Sequence, residues 1–123
     1  MFRKSFTALA LLACMTAVAH AEGDPARGAQ VFKRCAICHT DTKGGGDGLG
    51  PNLYGIAGRK AATRPGFSYS PALQKSGIVW TQPNLAKWVE KPARMVPGTK
   101  MAFSGITSKK QQADLIAFLV KLK

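Results

Sequence analysis

Apolar positions in this chain fall into one continuous run followed by several short periodic segments. The run extends from about Phe6 to Val18, behind Arg3 and Lys4 and ahead of Ala19-His20-Ala21. A basic start, an apolar middle and a small-x-small triplet form the layout of a cleaved secretory signal, cut after Ala21. The run is short for a membrane span, and Thr16 breaks it. Two variants use the same residues: retention as a membrane anchor, or lipid attached to Cys14 behind Leu11-Leu12-Ala13. The apolar run continues past Cys14 to the better cleavage site, which favours removal of residues 1–21 and leaves one domain over 22–123.

Beyond the run the pattern is helical, in short pieces. Asp24 can cap a helix, and Pro25 suits its first position, where a missing N–H had no partner anyway. This predicts a helix through Val31 and Phe32 to about Arg34. Ser70-Pro71 repeats the signal, and Gly77 stops that helix. Thr81 opens another, with Leu85, Trp88 and Val89 spaced for one buried face and Pro92 ending it. Ser108 with Gln111 forms a capping box. Behind it Leu115, Phe118, Leu119 and Leu122 follow i, i+3, i+4, i+7, an amphipathic last helix with Lys121 and Lys123 at its negative end. Alternation typical of a strand occurs only weakly, around Ile78 to Trp80, and there is no internal repeat. The fold class is all-α: several short helices joined by long loops. Loops of that length in a compact domain are expected to wrap something.

Composition sharpens this picture. Removing Arg3 and Lys4 from 18 basic residues leaves 16 against six acidic ones, a net charge of +10. The remaining chain holds all 13 glycines and all seven prolines. A domain of this size buries only a modest core, so a loop-rich one needs a staple, and export places it in an oxidising compartment. A charge of +10 invites nucleic acid, but no nucleic-acid motif is present and export argues against it. The glycine-rich stretch Lys43 to Pro51 is no phosphate cradle, because no Gly-Lys-Ser/Thr closes it and no strand precedes it.

The candidate chemistry is concentrated in Arg34-Cys-Ala-Ile-Cys-His-Thr40. Once the leader is cut, Cys35 and Cys38 are the only cysteines and His39 the only histidine. A structural zinc needs a second Cys/His pair, and completing one with Asp41 and Asp47 is strained. A thioredoxin-like motif needs a βαβ setting that is absent. A disulfide across three residues would staple little and leave His39 idle. Covalent haem attachment uses all three: Cys-x-x-Cys-His is the c-type haem signature. Cysteines three apart on a helical turn point the same way and reach one porphyrin edge, and His39 then serves as proximal ligand. A haem also gives the loops an apolar body to wrap. Met95 and Met101 are the candidates for a second axial ligand, since a soft thioether raises the potential; an open position would mean gas binding or peroxidase chemistry.

Further segments carry a resemblance. Cys35-Ala-Ile-Cys-His-Thr40, Gly50 to Lys60 (GPNLYGIAGRK), Pro65 to Ser70 (PGFSYS), Pro97 to Ile106 (PGTKMAFSGI) and the final DLIAFL are similar to the class I c-type cytochromes, in particular the mitochondrial cytochrome c and bacterial cytochrome c2 branch. The likeness spans nearly all of residues 23–123. It implies the class I cytochrome c fold round one haem c held by Cys35 and Cys38. It implies Met101, in Pro-Gly-Thr-Lys-Met, as the distal ligand, and the Pro51 carbonyl as acceptor from the second His39 nitrogen. Tyr69 and Trp80 would bond one haem propionate with Arg59 nearby, and Thr99 the other propionate or the distal side. Gly28 and Phe32 would pack against Leu115 and Phe118. The chain departs from the mitochondrial pattern at Trp88, where a tyrosine is common, at Leu73, where an asparagine is frequent, and at Ala93, where a lysine is usual.

The expected function is that of an exported, periplasmic monohaem carrier of single electrons between redox complexes, and no enzyme. A peroxidase-like or gas-binding haem protein with a labile Met101 is the alternative. By the same resemblance, Lys33, Arg34, Lys43, Arg94, Lys100 and Lys109 would ring the exposed haem edge and steer acidic partners to it.

Overall fold

Helix α1 (Pro25–Phe32) begins where Asp24 leaves extended backbone and its carboxylate accepts the amide protons of Ala26 and Arg27. The structure, a computed structural model, describes residues 23–123. The leader, the anchored variant and lipidated Cys14 concern residues outside that range. Regular α1 ends two residues before the expected boundary, and the backbone continues in tight turns. The amides of Cys35 and Ala36 bond to the Phe32 carbonyl, and those of Cys38 and His39 to the Cys35 carbonyl. Cys35 to His39 therefore stand on a single helical turn that follows α1.

Helix α2 (Pro71–Lys75) is capped by Ser70, whose hydroxyl accepts from the Leu73 amide. Helix α3 (Gln82–Glu90) is capped by Thr81 through the Asn84 amide. Pro92 ends α3 as expected and also opens α4 (Pro92–Met95), which the pattern did not reveal. Lys91, immediately before it, is extended (φ −165°), the conformation a following proline imposes. Helix α5 (Lys109–Lys121) begins at Ser108, which accepts from the Gln111 amide. Only this half of the capping box forms. The alternation near Ile78 yields no strand among the described residues but an isolated antiparallel bridge, Lys60 with Val79. The Ala61 amide to Ile78 carbonyl and Trp80 amide to Arg59 carbonyl bonds flank it.

Helix α1 lies across α5. A Cβ at Gly28 would collide with the Asp114 carbonyl and come within 2.8 Å of Phe118 Cβ, so only glycine allows this approach. Beside the crossing the rings of Phe32 and Phe118 meet at 5.0 Å. Leu115, Ile116 and Leu119 form the buried face of α5, whereas Leu122 lies past its end. Two polar side chains share that burial. Gln112 donates to the Ile106 carbonyl, and Asp114 receives the Asp24 amide and the Arg27 guanidinium. Helix α3 packs on both α4 and α5, and the Ile106 amide bonds to the Val89 carbonyl. This ties the end of the Met101 loop to α3. The helices thus frame one side of the interior, and the loops 40–69 and 96–107 frame the other.

Candidate functional site

The side chain of His39 is held by the loop it faces. Its Nδ1 lies 2.7 Å from the carbonyl oxygen of Pro51. A carbonyl can only accept, so Nδ1 carries the proton and Nε2 keeps its lone pair. Nε2 has no hydrogen-bond partner among the described residues. Burial pushes the imidazole's pKa down, and the Pro51 bond offsets this only in part, so the ring is neutral near pH 7. Gly50 lies flat against it: an added Cβ would sit 2.6 Å from Nδ1 and 2.8 Å from Nε2. A neutral imidazole with a fixed tautomer and one bare nitrogen is the form that binds a metal.

That nitrogen belongs to a ring lining a cavity of about 610 Å³. The cavity runs between the α1–α5 pair and the long loops. Cys35, Cys38 and His39 line it, and so do Met101 and Thr99 of the loop before α5. Much of the buried core faces it, including Phe32, Leu85, Trp88, Leu115 and Leu119. An apolar space of that size left to water is a liability in a domain this small, because burial of apolar surface is the main favourable contribution to folding. The interior is therefore shaped for a large apolar group, and a haem fits the residues present. Two thiols stand on one turn at its edge, a bare imidazole nitrogen and a thioether line it, and aromatic side chains wall it.

The polar residues expected around it fall as follows. Arg59, Tyr69, Trp80 and Thr99 all line the cavity. Tyr69 Oη accepts the Arg64 amide at 3.2 Å, which leaves its own proton free to donate. The Trp80 indole N–H has no acceptor among the described residues, and its ring meets that of Trp88 edge-on at 5.2 Å. Thr99 Oγ1 lies 3.5 Å from the Met101 amide, a long contact. Met95 does not line the cavity; it packs on the outside of the core, against a shallow depression with Lys87, Lys91 and Arg94. Burial pushes the Cys35 thiol's pKa up, and both cysteines are free thiols.

No cluster of three or more Cys, His, Asp or Glu able to hold an ion occurs among the described residues. Asp47, weighed as a zinc ligand, instead accepts from the Asn52 amide and pairs with Arg64. Of the six expected docking cations, Arg34 and Lys100 line the cavity, while Lys33, Lys43 and Arg94 are exposed but do not. Lys109 is paired with Glu90 at 3.3 Å. Arg34 also leans over the Phe103 ring, 5.5 Å from its centre, and donates to the Gly105 carbonyl. Sequence reasoning missed Asn52, 2% exposed, and Arg64, which together stitch the loop over His39. Asparagine and aspartate among glycines read as turn formers, and no periodicity couples Asp47 to a residue 17 positions away.

The sequence profile of the cytochrome c family matches residues 25–123. The chain is 47% identical over 104 residues to cytochrome c2 of Rhodomicrobium vannielii, an alignment that covers 85% of this chain and 83% of that one. It is 48% identical over 102 residues to cytochrome c2 of Rhodopila globiformis, with 82% and 95% covered. Among solved structures it is similar to cytochrome cH from Methylobacterium extorquens: TM-score 0.75, 42% identity, 80% of this chain and 98% of that one.

Proposed function

The chain belongs to the cytochrome c family, and from that premise we propose an exported, periplasmic carrier of single electrons whose iron is held between His39 and Met101. The family is one of electron carriers with one haem c attached through cysteines, here Cys35 and Cys38. The bound haem supplies an iron centre that takes up and returns one electron. The protein's part is to hold, tune and shield it. Pro51 fixes the His39 tautomer and strengthens Nε2 as a donor. The Met101 thioether, soft and neutral, favours the ferrous state and raises the potential. Tyr69 and Trp80 would hold one haem propionate with Arg59 nearby, Thr99 would meet the other propionate or the distal side, and the apolar walls would exclude water. Arg34 and Lys100, with Lys33 and Lys43 near the first in sequence and Arg94 near the second, meet the acidic face of a larger redox partner, a fast and weak contact.

The observation that carries this reading is that the bare-nitrogen imidazole of His39 and the Met101 side chain line one apolar cavity edged by both thiols. Protein purified from the periplasm should show haem mass bound to the peptide containing Cys35 and Cys38. It should be low-spin, with a thioether charge-transfer band. Met101→Ala should abolish that band, admit cyanide at once and lower the midpoint potential. A parent that is high-spin and binds small ligands immediately would instead make it the gas-binding or peroxidase-like haem protein.

A further inference from the structure

The peptide unit between Pro51 and Asn52 is engaged at both ends. Its carbonyl accepts from His39 Nδ1 at 2.7 Å, and its N–H donates to Oδ1 of Asp47, also at 2.7 Å. The same carboxylate oxygen accepts from Arg64 Nε, whose Nη2 donates to the Gly45 carbonyl at 3.1 Å. The Asn52 side chain locks the arrangement. Its nitrogen donates to the carbonyls of Thr42 and Gly45, and its oxygen accepts the Tyr54 amide. A peptide is a conjugated unit, so an anion at its N–H end makes its oxygen a stronger acceptor.

We propose that Asp47 is a positioning and tuning residue for His39, acting through the Pro51–Asn52 peptide, with Arg64 setting how much of its charge the relay transmits. The proposal rests on the reading of His39 as iron ligand. A stronger pull on Nδ1–H makes Nε2 a better donor, which favours ferric iron and lowers the potential. The carboxylate is available for this role: the Asn52 amide, and after it the Arg64 guanidinium, hold its pKa below the ordinary range. The side chains of Asp47 and Arg64 are 25% and 27% exposed, so solvent screens the pair only in part.

The test uses the haem-loaded protein. Asp47→Asn keeps an oxygen for the Asn52 amide but removes the charge. Its midpoint potential should rise, and the proton signals of His39 Nδ1–H and Asn52 N–H should both move upfield. Arg64→Gln leaves the carboxylate uncompensated and should shift the potential and both signals the opposite way. Asp41→Asn removes a carboxylate that makes no hydrogen bond among the described residues, and so measures a field through space, which salt screens. The Asp47→Asn shift should exceed that of Asp41→Asn and persist at high salt. A shift no larger than the Asp41 control, or one that vanishes with salt, or unmoved proton signals, overturns the relay. Should Asp47→Asn not fold, Arg64→Gln decides alone, and an unchanged potential overturns the proposal. A parent without the strongly shifted signals of an iron-bound imidazole removes the premise about His39 and the relay with it. Normal parent signals with a silent Asp47→Asn remove the relay only.

Discussion

One missing carbon sets the room available to the His39 ring. Gly50 faces it so closely that a methyl group would come within 3 Å of both ring nitrogens, and neither can retreat freely because Nδ1 is held by the next residue's carbonyl. Gly50→Ala should therefore act as overpacking. The expected loss is about 1–3 kcal/mol of stability, measured by denaturant unfolding of the loaded protein. The low-spin spectrum should change in the same variant, because the ring must tilt for the methyl to fit. A stability loss with an unchanged spectrum would mean that the backbone yields instead. At this scale Cys35, Cys38 and His39 were legible because their residue types occur nowhere else in the expected domain. Asp47, Asn52 and Arg64 were not, because their meaning lies in partners rather than type. An aspartate in a glycine-rich loop looks the same whether it forms a turn, binds zinc or holds an arginine.

Two helices far apart in sequence are joined by a single carboxylate. Asp114, buried on α5 with its side chain 5% exposed, accepts the amide of Asp24, the residue that caps α1, at 2.8 Å. Arg27 and Lys110 add charge from outside at 3.2 and 3.4 Å. The Asp24 amide, then Arg27 and Lys110, hold the Asp114 pKa below its ordinary value of 3.8. Asp24 is lowered likewise, by the Arg27 and Ala26 amides it caps. Folded-state values below the unfolded ones mean that the unfolded chain binds more protons in this range. The stabilisation is thus fully present above the ordinary value of 3.8 and is lost as pH falls through the lower folded values. Asp114→Asn should cost stability at pH 7 and progressively less below about pH 4, near the ordinary carboxylate range. Equal destabilisation at both pH values, in parallel thermal melts, would assign Asp114 to packing alone. Helices α1, α3 and α5 were legible because a cap, a terminal proline or an apolar stripe marks each. Helix α4 was not: four residues carry no period, and Pro92 signals a stop and a start at once.

For the whole molecule, composition gave the charge but not where it acts. Four of the carboxylates are committed to pairs inside the described fold: Asp24 and Asp114 with Arg27, Asp47 with Arg64, and Glu90 with Lys109. The cations without such a partner therefore dominate the outer field. They include Lys33, Lys43, Lys60, Lys75, Lys87, Lys91, Arg94 and Lys100, all exposed, and of these Lys60 and Lys100 line the cavity. The sequence could not separate Lys109, paired with Glu90, from Lys100, whose ammonium bonds to the Ser68 carbonyl and hydroxyl and forms no ion pair among the described residues. A field of this kind raises encounter rates with anions and is screened within about 10 Å at 0.1 M salt. Oxidation of the reduced protein by ferricyanide, a small anion, should slow as ionic strength rises, and oxidation by a cationic cobalt complex should quicken. Lys100→Glu should slow the anionic reaction mainly at low salt, and Lys75→Glu, whose side chain does not line the cavity, should slow it less. Equal effects of the two reversals in stopped-flow traces would mean that net charge alone steers the anion. The cavity-lining cations would then have no special part in bringing partners to the haem.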